Sequence, residues 1–210
     1  MISLYLVGTF RTQEDWAVEM KAKEVVLVID MLNDFCTEGG ALFSPRHAKI
    51  IPSVERFLEE KAKQGARIMF ASDWHEPEFE RDPESRWFSV PHAVRESWGA
   101  QVVDELKRFL RSPDGIEIKK TTPDAFLNTN LGEMVKKLAP DSLTVVGVCT
   151  DICIEATART ARYLGYVVEI PESLVATYDA GGPSPHPGDQ SHEEALRRLR
   201  DTFGVKVTKG

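Results

Sequence analysis

Short apolar runs rich in β-branched residues alternate along the chain with segments of helical period, and this alternation constrains the fold more than any other feature. The stretches read as strands cover residues 25–29, 67–71, 115–118, 143–146, 166–170 and 205–207, of which 25–29 is continuously apolar. Continuous apolar runs of this length fit strands covered on both faces, the environment of a parallel sheet. Between them, residues 52–64 (stopped by Gly65), 102–110, 131–138, 154–164 and 192–199 carry apolar side chains near helical spacing. Parallel strands need long crossovers, and helices supply them. The prediction is an α/β fold, a doubly wound parallel sheet of six strands flanked by helices. Residues 1–24 read as an N-terminal extension, with a short helix over 14–23, ahead of a single domain over 25–210.

Composition narrows the function classes. A chain of 210 residues suits one domain, and a domain of that size buries roughly 70% of its unfolded surface. A net charge of −7 and a pI near 5.3 argue against a nucleic-acid or anionic-membrane partner. The longest apolar runs are far too short to span a bilayer, and the start MISLYLVGTF has no basic residue ahead of its apolar stretch, so no signal peptide is expected. Three cysteines without an extracellular pattern fit a reducing cytoplasm. A small-molecule substrate is expected, and assembly into a homo-oligomer is left open.

The stretch 143–164, LTVVGVCTDICIEATARTARYL, passes from strand through a turn into helix. Thr150 and Asp151 stand where an N-cap is wanted, which puts Cys153 in the first helical turn, where free amides and the helix dipole favour a thiolate. A small buried hydrophobe is an equally good reading of such a cysteine. Cys149 and Cys36 complete no Cys-x-x-Cys pair, so Cys149 reads as structural, contributing its amide at most. Asp30 ends the first apolar strand, where open parallel sheets place their ligand sites, and Asp34 can cap the following turn. Asp73 and His75 follow the second strand, with Glu84 and His92 further on. Such a set can hold Zn²⁺, Mn²⁺ or Fe²⁺, although spacing alone favours a solvated acidic loop. Lys119 and Lys120 follow the third strand and, by spacing, are ordinary solvated lysines; His186 and His192 read as surface or packing residues.

The string 147–153, GVCTDIC, followed by an Ala-rich helix, resembles the signature of the isochorismatase-like cysteine hydrolases, whose best-known amidases are the nicotinamidases. The resemblance spans about residues 25–207 and implies roles residue by residue. Cys153 is the nucleophile, the Val148–Cys149 peptide is cis, and the amides of Cys149 and Cys153 form an oxyanion hole. Asp30, in an Asp-x-x-Asn-Asp-Phe string, is the catalytic base, and Phe35 and Leu42 line the ring pocket. Asp73, His75, Glu84 and His92 are the ligands of one divalent metal, zinc first. The interval from Glu84 to His92 is a residue longer than the family pattern, so the aromatic beside the metal is either Phe88 or Trp87. Counting back from Ala125-Phe126 selects Lys120 as the catalytic lysine, with Pro123 and Asp124 replacing the family's Tyr and Ser. The implied activity is conversion of nicotinamide to nicotinate and ammonia. A hydrolase acting on a carbamoyl or other amide and a non-catalytic metal-binding protein on the same fold are the alternatives.

Overall fold

The computed structural model describes residues 22–112, 115–181 and 186–209. All six expected strands are present, and a two-residue strand joins them: β1 (Glu24–Ile29), β2 (Arg67–Asp73), β3 (Ile116–Lys120), β4 (Ser142–Val148), β5 (Val168–Pro171), β6 (Val175–Ala176) and β7 (Lys206–Thr208). The sheet runs in the order β3-β2-β1-β4-β5-β7, with β6 paired to the end of β4. Every pairing is parallel. On β1, residues 25–29 lie opposite 67–71 on one side and 143–147 on the other.

Successive side chains of a strand point to opposite faces, so β1 feeds two cores. Val26 and Val28 join Phe70, Val146 and Val148 beneath α1 (Asn33–Cys36), α2 (Pro45–Lys63) and α3 (Lys107–Leu110). Val25, Leu27 and Ile29 join Met69, Leu143 and Val145 beneath α4 (Leu131–Leu138), α5 (Glu155–Tyr163) and α6 (Asp189–Asp201). Close contact between the two central strands depends on Gly147, whose φ is +115° and where a Cβ would lie 2.1 Å from the Ile29 carbonyl oxygen. No side chain fits there.

Several boundaries differ from those expected. Helix α2 starts at Pro45, where the Ser44 hydroxyl accepts from the Arg46 amide at 3.2 Å, and it runs through Pro52. An interior proline costs about 3 kcal/mol. Burial of Ile51, Val54 and Leu58 offsets this, at about 1.5–3 kcal/mol for each fully buried side chain. Of the helix expected over 102–110 only Lys107–Leu110 forms. Val102 instead bridges Leu32 in antiparallel fashion, and the Val103 amide donates to the Met31 carbonyl at 3.0 Å. The third strand continues to Lys120, so both lysines belong to it. The expected extension and its helix over 14–23 lie, but for the last few residues, outside the described residues. Among the described residues no helix is long and apolar enough to cross a membrane.

Candidate functional site

Four strand ends meet at the carboxyl edge of the sheet. Asp30 follows β1, Asp73 ends β2 and Lys120 ends β3. Strand β4 runs through a cis Val148–Cys149 peptide into a wide π-helical turn, Thr150–Ile154, which carries Cys153. Register sets the pairing, because Asp73 lies opposite Lys120 on adjacent strands. Alternation then separates the two lysines. Lys119 turns outward, its ammonium 3.8 Å from the centre of the Trp74 ring, whereas Lys120 is 1% exposed.

The Lys120 ammonium is surrounded by three groups. It lies 2.8 Å from Asp30 Oδ2, 2.5 Å from Asp73 Oδ1 and 3.7 Å from Cys153 Sγ. Burial opposes its charge, but the carboxylates of Asp30 and Asp73 more than offset that and hold it well above the usual lysine range. The Asp30 backbone adopts φ +49°, and its Oδ1 accepts from the Asp73 amide at 2.8 Å. Burial and the neighbouring Asp73 charge raise the Asp30 carboxyl to about 6, with Lys120 pulling the other way. Asp73 is held well below the usual carboxylate range, since Lys120 and His92 overcome its burial.

Cys153 departs from the expected thiolate. Burial pushes its thiol well above the ordinary range, with Asp30 and Asp73 adding to the effect and Lys120 opposing it. The expected side-chain cap is also absent, for no side chain caps this turn. The Asp151 carboxylate instead accepts from Thr177 at 2.5 Å and bonds His186 at 2.9 Å, and the Thr150 hydroxyl bonds His192 at 2.9 Å.

A second cluster adjoins the first through Asp73. His75 and His92 have ring centroids 4.6 Å apart. Each spends Nδ1 on a protein acceptor, Asp82 Oδ2 at 3.1 Å for His75 and the Val90 carbonyl at 2.8 Å for His92. With Nδ1 so engaged, Nε2 is the ring atom that each histidine turns towards the carboxylates. His75 Nε2 lies 3.7 Å from Glu84 Oε2, and His92 Nε2 lies 3.7 Å from Asp73 Oδ2. His75 Nε2 and Glu84 Oε2 are buried without a hydrogen-bond partner. Donor atoms of Asp73, His75 and His92 all fall within 4.8 Å of one another. Two imidazoles and carboxylates with orphaned, converging donors form a group able to hold a divalent cation. Burial and the Asp73 charge push Glu84 up to about 7, a cost that a cation would reverse.

One cavity of about 270 Å³ opens onto both clusters. Cys149, Cys153, Asp73, Glu84 and His92 lie on it, and Phe35, Leu42, Trp87, Phe88, Ile152, Tyr178 and His186 complete its walls. Phe88 and Phe35 each meet the His92 ring edge-on at 5.5 Å, whereas Trp87 is 62% exposed. Thus both candidate aromatics reach the cavity, and Phe88 is the one packed on the histidine.

Sequence reasoning missed Asp82, Ile152, Tyr178 and the site of His186. Ile152 adjoins Cys153 and could have been suspected from that alone. Tyr178 and His186 flank a Gly/Pro-rich stretch of sequence with no period to announce an inward face. His186, taken as a surface or packing residue, in fact lines the cavity.

A parallel sheet with a carboxylate, an ammonium and a thiol gathered at its carboxyl edge has the parts of a cysteine hydrolase built on an α/β fold. Residues 24–209 match the Isochorismatase domain, and the chain belongs to the isochorismatase family of hydrolases. It is 26% identical over 192 residues to a Bacillus subtilis protein described as an uncharacterized isochorismatase family protein, PncA, covering 89% of this chain and all of that one. The fold superposes on the pyrazinamidase/nicotinamidase of Streptococcus mutans with a TM-score of 0.79 at 24% identity, covering 88% of this chain and 99% of that one. Similarity extends to the pyrazinamidase of Pyrococcus horikoshii, solved in complex with zinc, with a TM-score of 0.74, 27% identity, and coverage of 90% and 99%.

Proposed function

We propose that this enzyme is a metal-dependent cysteine amidase that hydrolyses nicotinamide to nicotinate and ammonia through a thioester on Cys153. One observation carries the reading: Cys153 and the Asp73, Glu84 and His92 donors line the same aromatic-walled cavity, so a ring amide can meet a thiol and a cation at once. The relatives whose names include nicotinamidase or pyrazinamidase, one of them with zinc, support it.

Cys153 rests as a thiol and needs a base at the moment of attack. Asp30, with its carboxyl raised towards neutrality, takes the thiol proton as sulfur adds to the amide carbon. The oxyanion so formed is held by the amides of Cys149 and Cys153. Asp30 returns the proton to nitrogen, the C–N bond breaks and ammonia leaves a thioester. Water deprotonated by Asp30 then adds to the thioester carbon, releasing the carboxylic acid and restoring the thiol. Lys120 stays protonated throughout and steadies each anionic sulfur or carboxylate beside it. Asp73, His75, Glu84 and His92 would hold the cation, which would supply a Lewis-acid docking point for a ring nitrogen. Phe35, Leu42 and Phe88 pack on the ring.

Ammonia release from nicotinamide by protein loaded in turn with Zn²⁺, Mn²⁺ or Fe²⁺ tests the reading. Turnover well above that of Cys153→Ala is expected, and no turnover with any of the three metals would sink it.

A further inference from the structure

His47 is fully buried on the first turns of α2, in no contact with Cys153, yet it touches three parts of the cavity wall. Its Nδ1 lies 3.0 Å from the Phe35 carbonyl oxygen. A carbonyl only accepts, so Nδ1 carries the hydrogen. Burial lowers the ring to about 4, so it stays neutral and Nε2 keeps its lone pair. That lone pair faces Cys149 Sγ at 3.7 Å. The Cys149 thiol is kept protonated by its own burial. The ring of Tyr178 in turn packs against His47, centroid to centroid at 4.8 Å.

Direction follows from the one fixed end. Because the Phe35 carbonyl must accept, His47 Nε2 must accept from the Cys149 S–H. A single hydrogen-bonded chain therefore runs from Cys149 through His47 to Phe35, with the Tyr178 ring packed on His47. Every protein partner it engages except His47 lies on the cavity.

We propose that His47 is a positioning residue that fixes Cys149, and through it the backbone amide that receives the oxyanion. The inference rests on the amidase reading above and adds a buried residue to it that never touches substrate. A side chain gripped by its sulfur cannot let its own peptide swing, so the donor is held in place before charge develops on the oxygen. Removing an oxyanion donor outright costs about 10²–10³ in kcat. Loosening one should cost less, about tenfold.

Four variants test this. His47→Asn keeps a donor for the Phe35 carbonyl but withdraws from Cys149, whereas the longer His47→Gln carries an acceptor to the Nε2 position. On nicotinamide, His47→Asn should lower kcat about tenfold with KM within about twofold, Cys149→Ala should do the same, and His47→Gln should recover most of the loss. The double variant should be no worse than either single one, because both break the same link. Pyridine-3-carbaldehyde gives a readout that needs no turnover. Its carbonyl carbon bonds to Cys153 sulfur while the thiol proton passes to the oxygen, placing that oxygen where the oxyanion would sit. Its affinity should fall about tenfold in His47→Asn, with the rate of Cys153 alkylation by iodoacetamide unchanged. Unchanged kcat and aldehyde affinity in His47→Asn, a rise in KM alone, additive losses in the double variant, or an unchanged Cys149→Ala would each overturn the proposal. Should His47→Asn fail to fold, Cys149→Ala and His47→Gln decide it. A wild type that binds no aldehyde and hydrolyses no amide would instead bring down the amidase reading, and this inference with it.

Discussion

Lys120 shows how far single residues could be read. Two adjacent lysines could be separated in the sequence only by counting back from Ala125-Phe126. In the structure pleating does the same work, turning Lys119 to Trp74 and Lys120 inward to Asp30 and Asp73. Lys120→Ala should therefore lose at least about 10²-fold in kcat/KM, while Lys119→Ala stays within a few-fold; the reverse order would place the ammonium on the wrong lysine. Cys153→Ala should fold normally by circular dichroism and lose about 10⁴-fold or more in kcat, the scale of removing a nucleophile. The ionisation of Asp30 sets the acid side of the profile. A carboxylate base works only when deprotonated, so kcat/KM should fall about tenfold per pH unit below about 6. A limb starting near 4 would mean Asp30 carries no upward shift. Asp82 was not legible because its importance lies in one bond to His75 Nδ1 rather than in any spacing. Asp82→Asn should weaken metal binding by about 10–100-fold, measured by competition with a chelator, without changing the thiol content.

Among the elements, the central strands were legible because a parallel sheet buried on both faces demands continuous apolar runs, as residues 25–29 supply, whereas the edge strands β3 and β7 carry charged residues. Helices were less so. Pro52 reads as a helix start, but α2 extends a further seven residues towards its N-terminus, from Pro45; cutting it at Pro52 removed His47 from view. Residues 102–106 look helical by period, yet contacts to Leu32 and Met31 hold them extended or turned, which no local pattern reports. The wide turn Thr150–Ile154 was read as an ordinary capped helix start because Thr150 and Asp151 are good capping residues; here they are engaged by His192, Thr177 and His186 instead. Gly147 offers a test at this scale. Gly147→Ala drives a Cβ to 2.1 Å from the Ile29 oxygen at φ +115°, and should lower stability by at least about 2 kcal/mol. A urea midpoint shift that, multiplied by an unchanged slope, comes to less than that would show that β1 and β4 separate more easily than the ladder suggests.

At the scale of the molecule, one edge of one sheet collects everything the proposed chemistry uses. The acid, lysine and thiol come from strand ends, the metal donors from Asp73 and the loop after β2, and the aromatic walls from α1 and that same loop. Asp73 bonds Lys120 and also faces His92, so the two clusters share that side chain, while Asp30, Lys120 and Cys153 hold one another without any donor from the loop after β2. Chelation should therefore remove turnover while leaving the thiol cluster built. The most direct measurement is ammonia release from nicotinamide and from benzamide, before and after chelation, with metal content and Cys153 alkylation followed on the same samples. The account predicts that nicotinamide turnover falls with the metal, that benzamide, lacking the ring nitrogen, is poor throughout, and that Cys153 remains open to alkylation. Equal turnover of both amides, indifferent to the metal, would contradict it.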